Sequence, residues 1–224
     1  MAISGAIFDV DGTLVDSMPT WRGVWEPLYE EKGIEDGDAL FESIESLDTR
    51  DKCRFLHENY GMGTSADGLF DWLIAEVCKA YRTSIPAWPG CVDFVRALHD
   101  AGIPLVVASS TPRVGIETVL LAHGIADCFC GIVTTDDVGC GKDRPDVYLA
   151  ALELLGSPLE ETWVFEDAPF GILTPHAAGF RTVCIHNDHD GRDGEMLEAI
   201  CDIFVHADYR EISIDTLRTW EDHK

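Results

Sequence analysis

The sequence predicts an α/β fold with a doubly wound, mainly parallel sheet and a helical cap domain inserted after the first strand. From residue 88 onward, short apolar segments typical of buried strands alternate with segments of helical periodicity. This alternation is typical of a parallel sheet that carries helices on both faces. Residues 18–84 break the alternation because their pattern is helical throughout. In addition, polar clusters follow the predicted strands, which is where open α/β sheets bind their ligands.

Six apolar segments are predicted to form the strands: residues 3–8, 103–108, 130–134, 162–165, 181–185 and 203–205. The helical patterns between them cover residues 91–100, 114–122, 145–155 and 169–178. Pro145 at the beginning of one pattern and Gly156 just after its end are typical helix boundaries. Pro175 lies inside the last pattern, so we expect a kink or an early end there.

Residues 17–84 are predicted to form the helical cap, and residues 1–16 and 85–224 the α/β catalytic core. Within the cap, helical patterns cover residues 20–32, 36–46, 49–60 and 65–82. Pro27 interrupts the first pattern, which predicts a kink or a late start. Asp16 and Ser17 precede it and are expected to cap its N-terminus. Two prolines and a glycine in residues 84–90 predict a stiff hinge at the second junction.

The charge balance narrows the range of partners. The 224 residues include 41 acidic and only 16 basic side chains, which leaves a net charge of -25. Such a surface repels nucleic acid and anionic lipid, so we expect neither a nucleic-acid nor a membrane partner. No apolar stretch approaches the length needed to span a bilayer, and the N-terminus lacks the pattern of a signal peptide. We expect a monomer that acts on a small molecule.

The cysteine and histidine patterns predict neither disulfides nor a thiolate or imidazole metal site. Eight cysteines are scattered through apolar segments, and none forms a C-x-x-C pair. This favours buried, reduced thiols in a cytoplasmic protein. The eight histidines show no metal-ligand spacing, and His186 and His189 are expected in a surface loop.

Two aspartates, Asp9 and Asp11, leave the end of the first predicted strand one residue apart and are followed by Gly12. Strand side chains alternate with period two, so both carboxylates point the same way. At about 4 Å and an effective dielectric near 20, two such charges repel by roughly 4 kcal/mol. A fold tolerates that repulsion when a cation lies between them or when one keeps a proton.

Similar polar clusters follow three further predicted strands. In chain order, the four clusters are Asp9, Asp11 and Gly12; Ser109, Ser110 and Thr111; Asp136, Asp137 and Lys142; and Glu166 and Asp167. Since the carboxyl ends of parallel strands meet at one edge of a sheet, we expect these clusters to converge on one crevice.

The residue types in this crevice favour phosphate chemistry. Hard carboxylate oxygens favour Mg²⁺, and Lys142 with the Ser109 hydroxyl can bind the outer oxygens of a phosphate group. One Asp carboxylate can attack phosphorus and form an aspartyl-phosphate. The second Asp can protonate the leaving oxygen and later activate water.

The chain resembles the haloacid dehalogenase superfamily in four motifs that occur in the right order. F-D-V-D-G-T-L-V-D-S, which begins at Phe8, resembles the first motif, and V-V-A-S-S-T resembles the second, with Ser109 at its phosphate-binding hydroxyl. G-K-D-R-P-D resembles the third motif through Lys142, and F-E-D-A-P-F-G-I resembles the fourth through Asp167.

The resemblance implies a Rossmann-like core and a role for each motif residue. It implies that Asp9 is the nucleophile and a Mg²⁺ ligand, and that Asp11 is the acid/base and gives a backbone carbonyl to the metal. Glu166 is implied to support the metal directly or through water. The helical insert resembles the cap of the phosphatase and β-phosphoglucomutase-like branch. The implied function is Mg²⁺-dependent hydrolysis of a small phosphate monoester through an aspartyl-phosphate.

Two other functions are weighed against this one. A sugar phosphomutase would pass the phosphoryl group to sugar, but Trp21 stands where β-phosphoglucomutases carry a histidine. A non-catalytic phosphometabolite-binding protein would not need the second aspartate. Dehalogenases lack that aspartate, so Asp11 argues against their chemistry. Asp143 replaces the proline that usually follows the motif lysine, so a different course of that loop is expected.

Several polar residues are predicted to have simpler roles. Asp137 is expected to cap its loop, and Ser110, whose side chain should face away, is expected to bind phosphate through its N–H alone. Six residues of the insert are candidates for contact with the substrate, although most are expected to be core or solvated: Trp21, Trp25, Arg50, Arg54, Trp72 and Lys79.

Overall fold

The computed structural model describes residues 3–44, 47–187 and 191–220. Six strands form one sheet in the order β3-β2-β1-β4-β5-β6, and every pairing is parallel. The strands are β1 (Gly5–Phe8), β2 (Leu105–Ser109), β3 (Phe129–Thr134), β4 (Thr162–Glu166), β5 (Arg181–Ile185) and β6 (Ile203–Val205). The predicted fold class is confirmed, and the predicted strand ends are correct to within two residues.

The position of β1 explains where a ligand can bind. From β1 the chain moves outward through β2 to β3 and then returns to the other side of β1 for β4, β5 and β6. The strand order therefore reverses between β1 and β4, which is the kind of position where α/β sheets open a crevice. Phe8 pairs with Val107 of β2 and with Phe165 of β4, so the carboxyl ends of these three strands lie level.

Residues 18–83, which we call the helical segment, contain five α-helices in the ranges that the structure describes, 18–44 and 47–83. They are α1 (Met18–Gly23), α2 (Glu26–Lys32), α3 (Gly37–Ser43), α4 (Thr49–Tyr60) and α5 (Ala66–Thr83). The first predicted pattern is two helices, and Pro27 lies in the first turn of α2, where a missing N–H is tolerated. The predicted end of the third helix, at residue 46, lies outside the described residues. The assignment of residues 17–84 to a separate cap domain stays a prediction.

Seven further helices flank the sheet. They are α6 (Cys91–Asp100), α7 (Arg113–Ala122), α8 (Thr135–Val138), α9 (Asp146–Leu155), α10 (Pro169–Ala178), α11 (Gly194–Ile200) and α12 (Ile214–Thr219). Within the described residues, no helix is both long enough and apolar enough to cross a bilayer.

The early end that was one of the two expectations at Pro175 was wrong, because α10 continues through it to Ala178, while the expected kink stays a prediction. Proline cannot donate to the carbonyl four residues earlier, which is that of Gly171. The buried hydroxyl of Tyr148, which donates its one proton to Glu166 Oε1 at 3.0 Å, lies 3.4 Å from this carbonyl. The helix nevertheless runs on to its C-cap, Gly179.

The expected capping of α1 by Asp16 and Ser17 was also wrong. Ser17 is at the N-cap position, but its side chain makes no capping hydrogen bond. Its backbone is helical, with φ -101° and ψ -14°, whereas a capping residue is normally extended. Asp16 Oδ1 and Ser17 Oγ are buried without a hydrogen-bond partner among the described residues.

Both chain crossings between the helical segment and the sheet lie side by side. Val15 and Ala87 form an isolated antiparallel bridge, and the Asp16 N–H donates to the Pro86 carbonyl at 3.0 Å. The two segments that connect the helical segment to the sheet are therefore hydrogen-bonded to each other next to the end of β1.

All eight cysteine thiols are free, as predicted, but not all are buried. Cys130 is exposed and Cys140 is partly exposed, which corrects the expectation of eight buried thiols. Cys130 lies on β3, an edge strand that pairs with β2 on one side only among the described residues.

Aromatic packing holds the central strand ends in place. The fully buried rings of Phe8 on β1 and Phe165 on β4 stack with their centroids 4.2 Å apart. Phe94 on α6 contacts the Phe165 ring edge-on at 5.7 Å, and Tyr209 lies at 6.4 Å. Phe165 directly precedes Glu166, so this cluster also fixes the end of β4.

Phe165→Ala is expected to lower the free energy of unfolding by about 3–5 kcal/mol, because it opens a cavity between the two central strands. Urea denaturation followed by circular dichroism measures the change. Leu173→Ala is the matched control, since Leu173 on α10 is 44% exposed and should change stability by less than about 0.5 kcal/mol. Equal losses in the two variants would contradict the assignment of the core.

Candidate active site

A cleft of about 90 Å³ opens at the carboxyl ends of β1, β2 and β4. All seven residues predicted to form the site line it: Asp9, Asp11, Ser109, Ser110, Lys142, Glu166 and Asp167. The helical segment forms part of its wall through Met18, Trp21, Trp25, Phe41, Thr49 and Lys52. Strand-end clusters that are up to 158 residues apart in the sequence therefore face one space.

Lys142 lies between two buried carboxylates. Its Nζ donates to Asp9 Oδ1 at 2.6 Å and also to Glu166 Oε1. All three side chains are less than 10% exposed, so the pairs are shielded from water. Lys142 reaches Asp9 although Asp143 replaces the proline expected beside it.

The same shielding shifts the pKa values of this cluster. Burial raises the pKa of Asp9, and Glu166 and Asp167 add to the rise, whereas Lys142 opposes it. Burial alone would lower the pKa of Lys142, but the carboxylates of Asp9 and Glu166 outweigh it and raise that pKa above its usual range. Lys142 is therefore a cation at neutral pH, and its positive charge offsets part of the repulsion among the neighbouring carboxyl groups.

Glu166 is held from four directions. Its Oε1 also accepts a hydrogen bond from the Tyr148 hydroxyl at 3.0 Å. Its Oε2 accepts from the backbone N–H of Asp167 at 3.1 Å and of Ala168 at 3.3 Å. A Cβ on Gly171 would lie 2.2 Å from the Glu166 carboxyl carbon, so glycine is required where α10 passes this side chain.

Asp167 is held beside Glu166 by the loop that follows β1. Thr13 Oγ1 donates to Asp167 Oδ1 at 3.1 Å, and the Arg192 guanidinium pairs with Oδ2. Gly12 has a φ of +79°, and a Cβ there would lie 2.2 Å from Asp167 Oδ2. Only glycine combines this backbone conformation with such a close approach.

Asp9, Glu166 and Asp167 form a donor set that suits a divalent cation. Each offers one oxygen, and these three oxygens lie within 4.8 Å of one another. Together with Asp11 they place four carboxylates on the cleft, whereas the cations that contact this set are Lys142 and Arg192. The excess of negative charge and the hard oxygen donors fit Mg²⁺ or a similar ion.

Asp11 has different partners from Asp9. Tyr81 from α5 donates its hydroxyl to Asp11 Oδ1 at 2.5 Å, and Thr111 Oγ1 donates to Oδ2. The two aspartates leave the same strand end, yet one contacts an ammonium group and the other contacts two hydroxyls.

The end of β2 contributes hydroxyls and backbone groups. Ser109 is buried, and its Oγ accepts the N–H of Thr111 at 3.2 Å. Ser110 is partly exposed, and its carbonyl accepts the hydroxyl of Thr49 from α4 at 3.2 Å. Both serines lie within four residues of Arg113, where α7 begins and N–H groups become available for an anion.

A family model described as haloacid dehalogenase-like hydrolase matches residues 3–179. The chain belongs to this family. Two relatives that it resembles along most of its length are named as phosphatases. The validoxylamine A 7'-phosphate phosphatase of Streptomyces hygroscopicus subsp. limoneus is 32% identical over 185 residues, which cover 83% of this chain and 86% of that protein. Hexitol phosphatase A of Escherichia coli strain K12 is 31% identical over 193 residues, which cover 85% of this chain and 86% of that protein.

Solved structures support the fold of this hydrolase. A variant of CbbY from Rhodobacter sphaeroides in complex with xylulose-(1,5)bisphosphate superimposes with a TM-score of 0.75 at 24% identity. The match covers 91% of this chain and 93% of that chain. The prediction of a haloacid dehalogenase-like enzyme is therefore confirmed, while the roles of its site residues stay predictions.

Part of the third predicted cluster does not reach the cleft of the hydrolase. Asp137 caps its own loop by accepting the Thr134 N–H at 2.8 Å and hydroxyl at 2.9 Å, as expected for a loop cap. Asp136 faces the helical segment, where Arg50 lies 3.9 Å away. Only Lys142 of this cluster enters the site, because α8 begins at Thr135 and turns the two aspartates aside.

Among the insert candidates, Trp21 and Trp25 line the cleft, whereas Arg50, Arg54, Trp72 and Lys79 do not. His186 is buried, with its ring 5.2 Å from that of Phe204, so its expected surface position was wrong. His189 lies outside the described residues.

Sequence reasoning missed Tyr81, Tyr148 and Arg192. They lie on α5, on α9 and beyond the end of β5, where no local motif marks them.

Lys142→Met is expected to lower the free energy of unfolding of the metal-free hydrolase by roughly 3–5 kcal/mol near neutral pH, because two carboxylates stay buried without their cation. Lys142 holds down the pKa of Asp9, so its loss raises that pKa further, and Asp9 takes up a proton at a higher pH in the folded variant than in the folded natural protein. The deficit should therefore be largest above the natural protein's Asp9 pKa of about 8 and should shrink as the pH falls through that value.

Urea denaturation in the presence of a chelator, repeated over this pH range, measures the effect. The control is Lys79→Met, because Lys79 is exposed and lies 3.7 Å from Glu76. It should change stability by less than about 0.5 kcal/mol at every pH. A deficit of Lys142→Met that grows as the pH falls would contradict the buried ion-pair network.

Proposed function

We propose that this protein is a Mg²⁺-dependent phosphatase that hydrolyses a small phosphorylated sugar or polyol through an aspartyl-phosphate on Asp9. One observation carries the proposal: Asp9, held by Lys142, lies in a buried carboxylate set with Glu166 and Asp167, while Asp11 stands apart from Lys142 on two hydroxyls. Such different surroundings suit two carboxylates with different roles.

In the first step, an oxygen of Asp9 attacks the phosphorus of the ester. Lys142 engages Oδ1, so we assign the attack to Oδ2. The new Asp9–phosphorus bond forms as the bond from phosphorus to the ester oxygen breaks, and Asp11 gives its proton to the leaving alkoxide. Ser109, the N–H groups before α7 and Lys142 are placed to hold the outer phosphate oxygens.

In the second step, water releases the phosphate. Asp11, now a carboxylate, takes a proton from a water molecule as that water attacks the phosphorus of the aspartyl-phosphate. The bond between phosphorus and Asp9 breaks, inorganic phosphate leaves, and Asp11 holds the proton needed for the next turnover.

In this proposal the metal ion would be held by Asp9, Asp167, the Asp11 backbone carbonyl and Glu166, the last directly or through water. A bound Mg²⁺ would offset the charge of the phosphate beside these carboxylates. Arg192 now occupies one oxygen of Asp167, so a metal ion would compete with its guanidinium.

The wall of the cleft supports a small hydroxyl-bearing substrate. Trp21, Trp25, Phe41 and Phe170 give it flat apolar faces, and Lys52 adds a charged group on the helical side. Apolar walls with a few polar groups are typical of sites for small molecules. The relatives are named for a phosphorylated validoxylamine and for hexitol phosphates, which are compounds of this kind. The helical segment is proposed to act as the cap over this cleft.

Asp9→Asn is expected to reduce phosphate release by roughly 10⁴-fold or more, because the amide cannot act as the nucleophile. Phosphate release with saturating Mg²⁺ from a panel of sugar, polyol and nucleotide phosphates measures this loss. Asp136→Asn is the control, since Asp136 faces Arg50 outside the cleft and its loss should leave turnover within about twofold. An active Asp9→Asn enzyme would contradict the assignment of Asp9 as the nucleophile.

Glucose 1-phosphate with a bisphosphate primer belongs in the same panel. If the product is isomerised sugar phosphate and not free phosphate, the proposed phosphatase activity is overturned and a phosphomutase activity is favoured.

Asp167→Asn is expected to weaken Mg²⁺ binding by roughly 10-fold or more, since it removes one of the anionic oxygens of the donor set. Isothermal titration calorimetry of the ligand-free protein measures the affinity directly. Asp137→Asn keeps a capping side chain outside the cleft and should bind Mg²⁺ as the natural protein does. Unchanged binding by Asp167→Asn would place the metal elsewhere.

A further inference from the structure

We propose that Tyr81 is a positioning residue for Asp11, and that its hydroxyl ties the acid/base group of the site to the helical segment. This inference rests on the proposed function, because it assigns Tyr81 a part in the proton transfers made by Asp11. It is carried by a hydrogen bond that joins the two groups inside the protein.

Burial and packing fix the position of the Tyr81 side chain. It is 2% exposed, lies near the end of α5, and places its hydroxyl 2.5 Å from Asp11 Oδ1. Its ring packs against the beginning of α7, where a Cβ added to Gly115 would lie 3.5 Å from Tyr81 Cε2. Burial raises the pKa of Tyr81 well above its ordinary value, so the group remains a neutral phenol.

Two hydroxyls together suit both protonation states of Asp11. Thr111 Oγ1 donates to Oδ2, so each oxygen of Asp11 has one hydroxyl partner. A hydroxyl can donate or accept a hydrogen bond. When Asp11 is a carboxylate, both partners donate; when it carries the proton, one partner can turn to accept it. The pair therefore holds the side chain in one place throughout the cycle.

Tyr81 also connects Asp11 to the helical segment. Among the described residues, the partners of Asp9, Glu166 and Asp167 come from outside that segment: Lys142, Tyr148, Thr13 and Arg192. Asp11 instead receives a hydrogen bond from α5, the last helix before the chain returns to the sheet. The position of the acid/base group consequently depends on where α5 packs.

The leaving group of the substrate distinguishes this role from a purely structural one. An alkoxide from a polyol phosphate is strongly basic and must be protonated as it leaves, whereas p-nitrophenolate leaves without a proton. Loss of Asp11 positioning should therefore slow aspartyl-phosphate formation from the polyol ester far more than from p-nitrophenyl phosphate.

The test is Tyr81→Phe, which keeps the buried ring and removes only the hydroxyl. For a polyol phosphate selected in the substrate panel, we expect kcat/KM to fall by roughly 10- to 100-fold. For p-nitrophenyl phosphate we expect kcat/KM to fall by less than about threefold, because its phosphoryl-transfer step needs no acid. A burst of p-nitrophenol close to the enzyme concentration should precede its steady state, because hydrolysis of the aspartyl-phosphate still needs Asp11.

Tyr209→Phe is the matched control. Tyr209 is equally buried, and its hydroxyl donates to the Thr13 carbonyl at 3.1 Å rather than to Asp11. This variant should change kcat/KM for the two esters by the same factor and should produce no burst of p-nitrophenol. Thermal unfolding of both variants confirms that each is folded at the assay temperature.

If Tyr81→Phe lowers kcat/KM equally for both esters, or lowers it for neither, the inference is overturned. Asp11→Asn separates this failure from that of the proposed function. If Asp11→Asn discriminates between the esters and Tyr81→Phe does not, Asp11 is the acid but Tyr81 does not position it. If Asp11→Asn does not discriminate, or the natural protein hydrolyses neither ester, the proposed function fails and this inference with it.

Discussion

The structure depends on a concentration of negative charge at the end of the central strands, which, among the described residues, Lys142 and Arg192 offset. Because β1 is central and the sheet is parallel, the ends of β1 and β4 meet and bring Asp9, Glu166 and Asp167 together. Lys142 contacts two of these carboxylates inside the protein. Without a cation, several carboxylates at such distances would repel one another by several kcal/mol. The supporting hydrogen bonds around the site keep these charges in place.

The two aspartates of the first loop, Asp9 and Asp11, differ in the groups that surround them. Asp9 lies against an ammonium group among other carboxylates, which suits a nucleophile and metal ligand. Asp11 lies between two neutral hydroxyls, which suits a group that gains and loses a proton. The residues are two apart in sequence, so the different roles proposed for them would arise from what the tertiary structure packs against each of them.

The helical segment supplies the part of the cleft that the sheet cannot. Its aromatic side chains face the strand ends, and it contacts the sheet through Thr49 on Ser110 and Arg50 beside Asp136. The two chain crossings pair with each other next to β1, and Val15 of the first crossing also bridges to Asp11. The proposed selection of the substrate and the proposed placement of the acid/base group would therefore both depend on this segment.

The sequence by itself determined the parallel α/β fold, the positions of the strands and the residues at the strand ends, because alternation, helix boundaries and the first loop motif are local patterns. Only the tertiary structure decided that Asp136 turns away, that α10 continues through Pro175 and that Ser17 does not cap α1. It also supplied Tyr81, Tyr148 and Arg192, each of which reaches the site from an element with no motif of its own. Such partners depend on how distant elements pack, and packing leaves no local pattern in the sequence.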